Sequence, residues 1–148
     1  MAVIGARTSD ENTLQTAREL GQLLAQKGYT VICGGMGGVM EAVCRGAKEA
    51  GGTTIGVLPG DDPAEANPFI DTVIVTGQGI SRNLIIIRSA VAVIAISGGY
   101  GTLSELAFAL QLGKPVIGID TWDISEKIFE TKDPAGALFK LTEILNTL

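Results

Sequence analysis

Histidine is absent from this chain of 148 residues, and cysteine occurs only twice. Without histidine, Ser-His-Asp catalysis, Cys-His catalysis and histidine metal ligands are all excluded. Cys33 lies in an apolar, strand-like run and Cys44 in a helical one, with no spacing that indicates zinc. We therefore expect two buried cysteines and no metal site.

Aromatic residues, positive charge and long apolar runs are scarce as well. At 5% aromatic content, the core is expected to be aliphatic, which suits buried parallel strands. The net charge of −5, with no basic run, argues against nucleic acid as a partner. The longest apolar stretch, residues 84–96, is interrupted by Arg88 and Ser89 and is too short to cross a bilayer. With no visible signal peptide, we expect a cytoplasmic protein and no membrane partner.

Apolar runs that read as strands alternate along the chain with longer helical patterns. Strands are predicted at Met1–Gly5, Tyr29–Cys33, Thr53–Leu58, Asp71–Val75, Val91–Ile96 and Val116–Ile119. Helices are predicted at Glu11–Lys27, Val39–Ala50, Ser81–Ala90, Leu103–Leu112 and Gly136–Leu145. This order predicts the α/β class: one Rossmann-like, doubly wound domain over residues 1–148, with a mainly parallel sheet of about six to seven strands and helices on both faces.

Glycine clusters follow two of the predicted strands and lead directly into helices. Ligands of doubly wound folds bind beyond the carboxyl ends of the strands, where glycine turns let backbone amides converge on an anion. Tight turns that need glycine for geometry alone are the alternative. Neither cluster has the G-x-G-x-x-G spacing, and no Walker lysine is present, which disfavours NAD and ATP. The residues predicted to bind the phosphate are Gly34, Gly35, Gly37, Gly38, Gly98, Gly99, Gly101 and Thr102.

Thr102, Glu105 and Arg82 each have two interpretations. Residues 102–105 fit a capping box, in which both side chains bond free amides at a helix start. Beside a phosphate loop, the Glu105 carboxylate would instead face a bound sugar. Arg82 lies near a predicted helix N-terminus, where the helix dipole disfavours a cation unless an anion is bound nearby. For Arg82, and for Arg7 after the first strand, the alternative is an ordinary surface arginine.

Three stretches carry a resemblance to a known family: "GGMGGVMEAVCRGAKEAGG", "TIGVLPG" and "SRNLIIIRSAVAVIAISGGYGTLSE". They resemble the Rossmann-like family once called lysine decarboxylases. That family includes the LONELY GUY cytokinin-activating phosphoribohydrolases and the molybdenum cofactor carrier proteins. The resemblance covers nearly the whole chain and is strongest to the carrier branch. No pyridoxal-binding lysine is identifiable, so decarboxylation is not expected.

The hydrolase branch of this family carries a P-G-G-x-G-T-x-x-E motif and an upstream arginine within M-H-x-R-K. Ser97 replaces the motif proline, and the histidine and lysine beside the arginine are absent here. Arg82 resembles the upstream arginine. The residues that match the first motif are Gly98, Gly99, Gly101, Thr102 and Glu105.

The resemblance implies a protein that binds a phosphorylated nucleotide- or pterin-type ligand, as a molybdenum cofactor carrier does. The alternative is a nucleoside 5′-monophosphate phosphoribohydrolase of the LONELY GUY type, with Arg82 and Glu105 as catalytic residues and no cofactor required. A structural oligomer with a vestigial pocket is the third possibility. The expected ligand is a nucleotide monophosphate, the molybdenum cofactor or phosphate, and the expected assembly is a homodimer or larger homo-oligomer. Whether the protein is an enzyme stays open.

Overall fold

A computed structural model describes residues 1–148 as a seven-stranded sheet with five α-helices around it. The strands are β1 (Ala2–Gly5), β2 (Val31–Cys33), β3 (Thr54–Leu58), β4 (Thr72–Val75), β5 (Val93–Ile96), β6 (Val116–Ile119) and β7 (Ile128–Thr131). The helices are α1 (Glu11–Gln26), α2 (Val39–Glu49), α3 (Arg82–Ser89), α4 (Tyr100–Gln111) and α5 (Pro134–Asn146). Short 3-10 helices span Pro63–Glu65 and Gly79–Ser81. No helix is both long and apolar enough to traverse a lipid bilayer.

The sheet is wound in two directions from its centre. Its strand order is β4-β3-β2-β1-β5-β6-β7, and every neighbouring pair is parallel. The chain moves outward from β1 to β4, returns across the sheet through α3, and then moves outward on the other side from β5. Gly5 and Ile96, the last residues of β1 and β5, are paired, so these two strands end level with each other. A doubly wound sheet has its ligand crevice at this reversal of strand order.

Two apolar layers cover the sheet. Helices α1, α2 and α5 pack on one face, where Leu20, Val43 and Leu141 are fully buried. Helices α3 and α4 pack on the other face, where Ile86 and Leu106 are fully buried. Successive strand residues point to opposite faces, so both faces of the central strands are apolar, as parallel sheets require. The predicted α/β class and doubly wound architecture are confirmed.

Some boundaries differ from the sequence prediction. Strand β7 was not predicted, because only Ile128 of its four residues is buried at this edge of the sheet. Helix α4 begins at Tyr100, three residues before the predicted start. As expected, Cys33 and Cys44 are both fully buried, and their sulfur atoms lie 3.5 Å apart in the layer beneath α2.

Candidate functional site

A cavity of about 330 Å³ opens at the reversal point of the sheet. Its walls come from the ends of β1 and β3, from the loop that precedes α2, and from the first turns of α3 and α4. Most of the lining is small or polar, with two arginines and one glutamate. The lining residues are Gly5, Ala6, Arg7, Met36, Met40, Pro59, Ile80, Arg82, Asn83, Gly99, Gly101, Thr102 and Glu105.

The N-terminus of α4 forms one wall of this cavity. Gly99 precedes the helix as its N-cap, and no side chain caps the helix. Gly98 adopts a φ of +124°, and a Cβ there would lie 2.5 Å from the Thr102 side chain, so only glycine fits. The amides of Gly98 and Gly99 donate to no protein acceptor. The turn therefore leaves backbone donors free at the positive end of a helix dipole.

Thr102 is only 2% exposed, and its hydroxyl has no hydrogen-bond partner in the protein. A buried hydroxyl without a partner costs about 1–3 kcal/mol. The capping-box interpretation of Thr102 and Glu105 is wrong, because α4 begins at Tyr100 and both residues lie inside the helix. The cost of the unpaired hydroxyl is instead consistent with an acceptor that the chain itself does not supply.

Glu105 lies one turn further along α4 and lines the same cavity. The residue is 7% exposed, and its carboxyl group makes no hydrogen bond within the protein. Burial raises the pKa of Glu105 to about 7, and the positive charge of Arg82 opposes part of that shift. Near neutral pH the carboxyl group is therefore divided between its protonated and ionised forms, as a group that accepts or donates protons should be.

Two hydrogen bonds hold the guanidinium of Arg82, the first residue of α3. Its Nε donates to the Val57 carbonyl at 3.0 Å, and its Nη1 donates to Oδ1 of Asn83. Burial lowers the pKa of Arg82, and the charge of Glu105 opposes that shift. A half-buried arginine at a helix N-terminus is unfavourable in isolation, and an anion in the cavity would compensate it.

Asn83 and Ser104 join α3 to the start of α4, and sequence reasoning missed both. Asn83 Nδ2 donates to Ser104 Oγ at 3.1 Å, and Ser104 Oγ donates to the Gly101 carbonyl at 2.6 Å. The guanidinium of Arg82 is thereby coupled to the glycine turn through two side chains. The available signal was a single polar residue, Asn83, followed by an apolar helical run.

The first glycine cluster reaches the cavity through Met36, and the cavity lining includes none of its four glycines. Gly35 has a φ of +77° and packs against β3, where a Cβ would lie 2.8 Å from the Leu58 side chain. Gly38 has a φ of +64°, and a Cβ there would lie 2.3 Å from the Ala6 carbonyl oxygen. Close packing therefore accounts for both of these glycines, and their contact with a ligand stays a prediction.

The other two glycines of this cluster, Gly34 and Gly37, each lie near an arginine that lines the cavity. A Cβ on Gly34 would lie 2.8 Å from Nη2 of Arg82, so this glycine makes room for the guanidinium. The amides of Met36 and Gly37 donate to no protein acceptor. Asn67, from the proline-rich loop 59–68, braces the cluster by donating its side-chain amide to the Met36 carbonyl at 2.9 Å.

Arg7 and Arg88, the remaining arginines considered from the sequence, differ in position. Arg7 follows β1, is exposed, and lines the cavity. Arg88 lies near the end of α3, is exposed, and does not line the cavity. The cavity lining therefore has two positively charged residues, Arg7 and Arg82, and one acidic residue, Glu105.

This chain is similar to proteins known by sequence and to proteins of solved structure. An uncharacterized protein from Archaeoglobus fulgidus is 44% identical over 137 residues, which make up 91% of this chain and 90% of that protein. A cytokinin riboside 5′-monophosphate phosphoribohydrolase from Mycobacterium tuberculosis is 36% identical over 119 residues, covering 74% of this chain and 63% of the relative. The solved structure of the molybdenum cofactor binding protein from Rippkaea orientalis is similar, with a TM-score of 0.90, 35% identity, and coverage of 97% of this chain and 94% of that one.

These similarities confirm the resemblance to LONELY GUY proteins and to the molybdenum cofactor carrier branch. The family model that matches the chain describes the SLOG cluster4 family, and the match extends over residues 1–147. The chain therefore belongs to the SLOG cluster4 family.

Proposed function

We propose that this protein binds a phosphorylated nucleotide- or pterin-type ligand, with the phosphate at the N-terminus of α4. The observation that carries the proposal is the buried, unpaired hydroxyl of Thr102 beside the free amides of Gly98 and Gly99. A phosphate oxygen would accept hydrogen bonds from all three donors, and the helix dipole favours its negative charge. Arg82 and Arg7 add positive charge to the same cavity.

The carrier-type version of this function requires binding without turnover. It is supported by the similarity to the molybdenum cofactor binding protein from Rippkaea orientalis, which extends over nearly the full length of both chains. In this version the cargo is a phosphorylated pterin such as the molybdenum cofactor. The cavity has a volume of about 330 Å³, which is near the lower end of the range for small-molecule sites. Part of the cargo would therefore lie outside it, at its mouth.

Calorimetric titration with inorganic phosphate, ribose 5-phosphate and AMP tests the phosphate site. Thr102→Val keeps the side-chain shape and removes the hydroxyl. A hydrogen bond to a charged group contributes about 1.5–3 kcal/mol, so we expect roughly 10- to 100-fold weaker binding of ribose 5-phosphate. The control is Thr142→Val, another helical threonine, whose hydroxyl bonds the Leu138 carbonyl in α5. If all three compounds fail to bind, or if Thr102→Val binds as tightly as the control, the phosphate site is refuted.

The second candidate function is hydrolysis of a nucleoside 5′-monophosphate, and Glu105 is the observation that favours it. The carboxyl group is buried, lines the cavity with Arg82, and has a pKa raised to about 7. In this reaction the bond from ribose C1′ to the base breaks, with the electron pair leaving on the base. Water adds to C1′, and the base takes up a proton. Glu105 would stabilise the positive charge on the sugar and accept the proton of the attacking water.

Incubation with AMP separates the two candidates. Release of adenine and ribose 5-phosphate, abolished in Glu105→Gln while AMP binding persists, supports the hydrolase. Tight binding of AMP without release supports the carrier-type function. Release that continues in Glu105→Gln would show that Glu105 is not the catalytic group.

A further inference from the structure

An aromatic pair lies directly beside the glycine turn that precedes α4. Tyr100, the first residue of α4, is 84% exposed and stands between Gly99 and Gly101. Its ring stacks on Trp122, which follows β6, with the ring centroids 6.3 Å apart and the planes 24° from parallel. Tyr100 therefore presents one ring face to Trp122 and the other to solvent.

Trp122 is held in place by packing and by a hydrogen bond to the glycine turn before α4. Its Nε1 donates to the Gly99 carbonyl at 3.1 Å, and its ring packs on the apolar layer that α3 and α4 form. The preceding residue, Thr121, donates its hydroxyl to the Ser97 carbonyl at 2.7 Å. The loop after β6 is thus tied to the glycine turn at two points, and Trp122 is held in place beside Gly99.

The space around the pair is open. Tyr100 is 84% exposed, so the ring face that is turned away from Trp122 is open to solvent. Tyr100 directly follows Gly99, which lines the cavity and has an unpaired amide, and the aromatic pair itself lies outside the cavity lining. An exposed aromatic face that rests on a fixed tryptophan, next to an unpaired amide, suits a ligand whose phosphate lies in the cavity and whose planar ring extends from it.

We propose that Tyr100, supported by Trp122, stacks against the heteroaromatic ring of the phosphorylated ligand. The stacking makes the site prefer a nucleotide or pterin phosphate to a bare sugar phosphate. This inference rests on the proposed function, because the phosphate at α4 brings the ring within reach. Stacking depends on the ring face and not on its substituents, so the pair selects for a planar ring and not for one particular base.

The chain contains one tryptophan, so the emission of Trp122 reports directly on the pair. Stopped-flow mixing with AMP and with ribose 5-phosphate, before any turnover, compares ligands that share a phosphate and differ in the ring. AMP is expected to change the emission and to bind more tightly than ribose 5-phosphate. Tyr100→Ala should weaken AMP binding roughly 5- to 100-fold and leave ribose 5-phosphate binding unchanged. Tyr100→Phe should bind AMP like the wild type, and so should Phe139→Ala, a control at an exposed aromatic residue of α5.

The outcomes separate this inference from the proposed function. If ribose 5-phosphate binds but AMP binds no more tightly, or if Tyr100→Ala weakens both ligands equally, the stacking is refuted and the phosphate site stands. If Tyr100→Ala lowers the mass measured by sedimentation and leaves AMP binding unchanged, the pair is a contact between copies of this chain and the stacking is refuted. If neither ligand binds to the wild type, the proposed function fails and the stacking fails with it.

Discussion

The buried carboxyl group of Glu105 makes the stability of this protein depend on pH. Its pKa rises from an ordinary value of 4.5 to about 7 in the folded state, because burial disfavours the ionised form. Between these two values the folded protein holds a proton that the unfolded chain releases. The free energy of unfolding is therefore unaffected by Glu105 ionisation below pH 4.5, where the group is protonated in both states. It decreases as the pH rises from there towards 7.

The size of this effect follows from the shift. Each unit of pKa difference corresponds to about 1.4 kcal/mol, so ionising Glu105 in place costs about 3 kcal/mol above pH 7. Glutamine has nearly the same shape and does not titrate. The free energy of unfolding of Glu105→Gln minus that of the wild type should thus increase by about 2–3 kcal/mol from pH 5 to pH 8.

Urea unfolding of both proteins at pH 5, 6, 7 and 8, without ligand, measures this difference. Glu126→Gln, at an exposed glutamate in the loop before β7, is the control for the loss of one negative charge. If the stabilities of Glu105→Gln and the wild type change in parallel over this range, the carboxyl group is not desolvated as the structure indicates. The assignment of Glu105 as a group that exchanges protons near neutral pH would then be wrong.

Three further predictions concern stability without ligand. Thr102→Val should raise the free energy of unfolding by about 1 kcal/mol in urea, because it removes an unpaired buried hydroxyl; a loss of similar size would mean that the hydroxyl is satisfied. Gly38→Ala should cost at least about 2 kcal/mol more than Gly113→Ala, since both have positive φ but only Gly38 faces a close carbonyl; equal melting-temperature losses would contradict this. Asp10→Ala should cost about 1 kcal/mol in urea, because Asp10 accepts a 2.7 Å hydrogen bond from the Thr13 amide, whereas Asp10→Asn should retain most of the stability.

Most of the fold was accessible from the sequence because the central strands are buried on both faces. Such strands leave continuous aliphatic runs, and glycine ends several of the helices between them. The edge strand β7 lacks this pattern, since Phe129 and Glu130 are exposed. The start of α4 was misplaced because Gly99 and Gly101 are poor helix formers, and because no side-chain cap marks the helix end.

The candidate site was accessible in part. Thr102, Glu105 and Arg82 follow strand ends or begin helices, and the sheet brings all three to one cavity. Asn67 was not identifiable, because its hydrogen-bond acceptor, the Met36 carbonyl, lies 31 residues away along the chain. A contact of this kind depends on how loops pack, and no local pattern in a single sequence encodes that packing.

The pairing of β1 with β5 also joins the two halves of the sheet, one formed by β1 to β4 and the other by β5 to β7. The cavity lies above this junction, with Arg7 and Met36 on the earlier half and Gly99 and Thr102 on the later one. A ligand bound by both halves connects them, and its binding free energy adds to the stability of the β1–β5 pairing. Amide hydrogen exchange along Val93–Ile96 should accordingly slow when ribose 5-phosphate saturates the protein. Ligand binding in the cavity would then raise the free energy of local opening at the centre of the sheet.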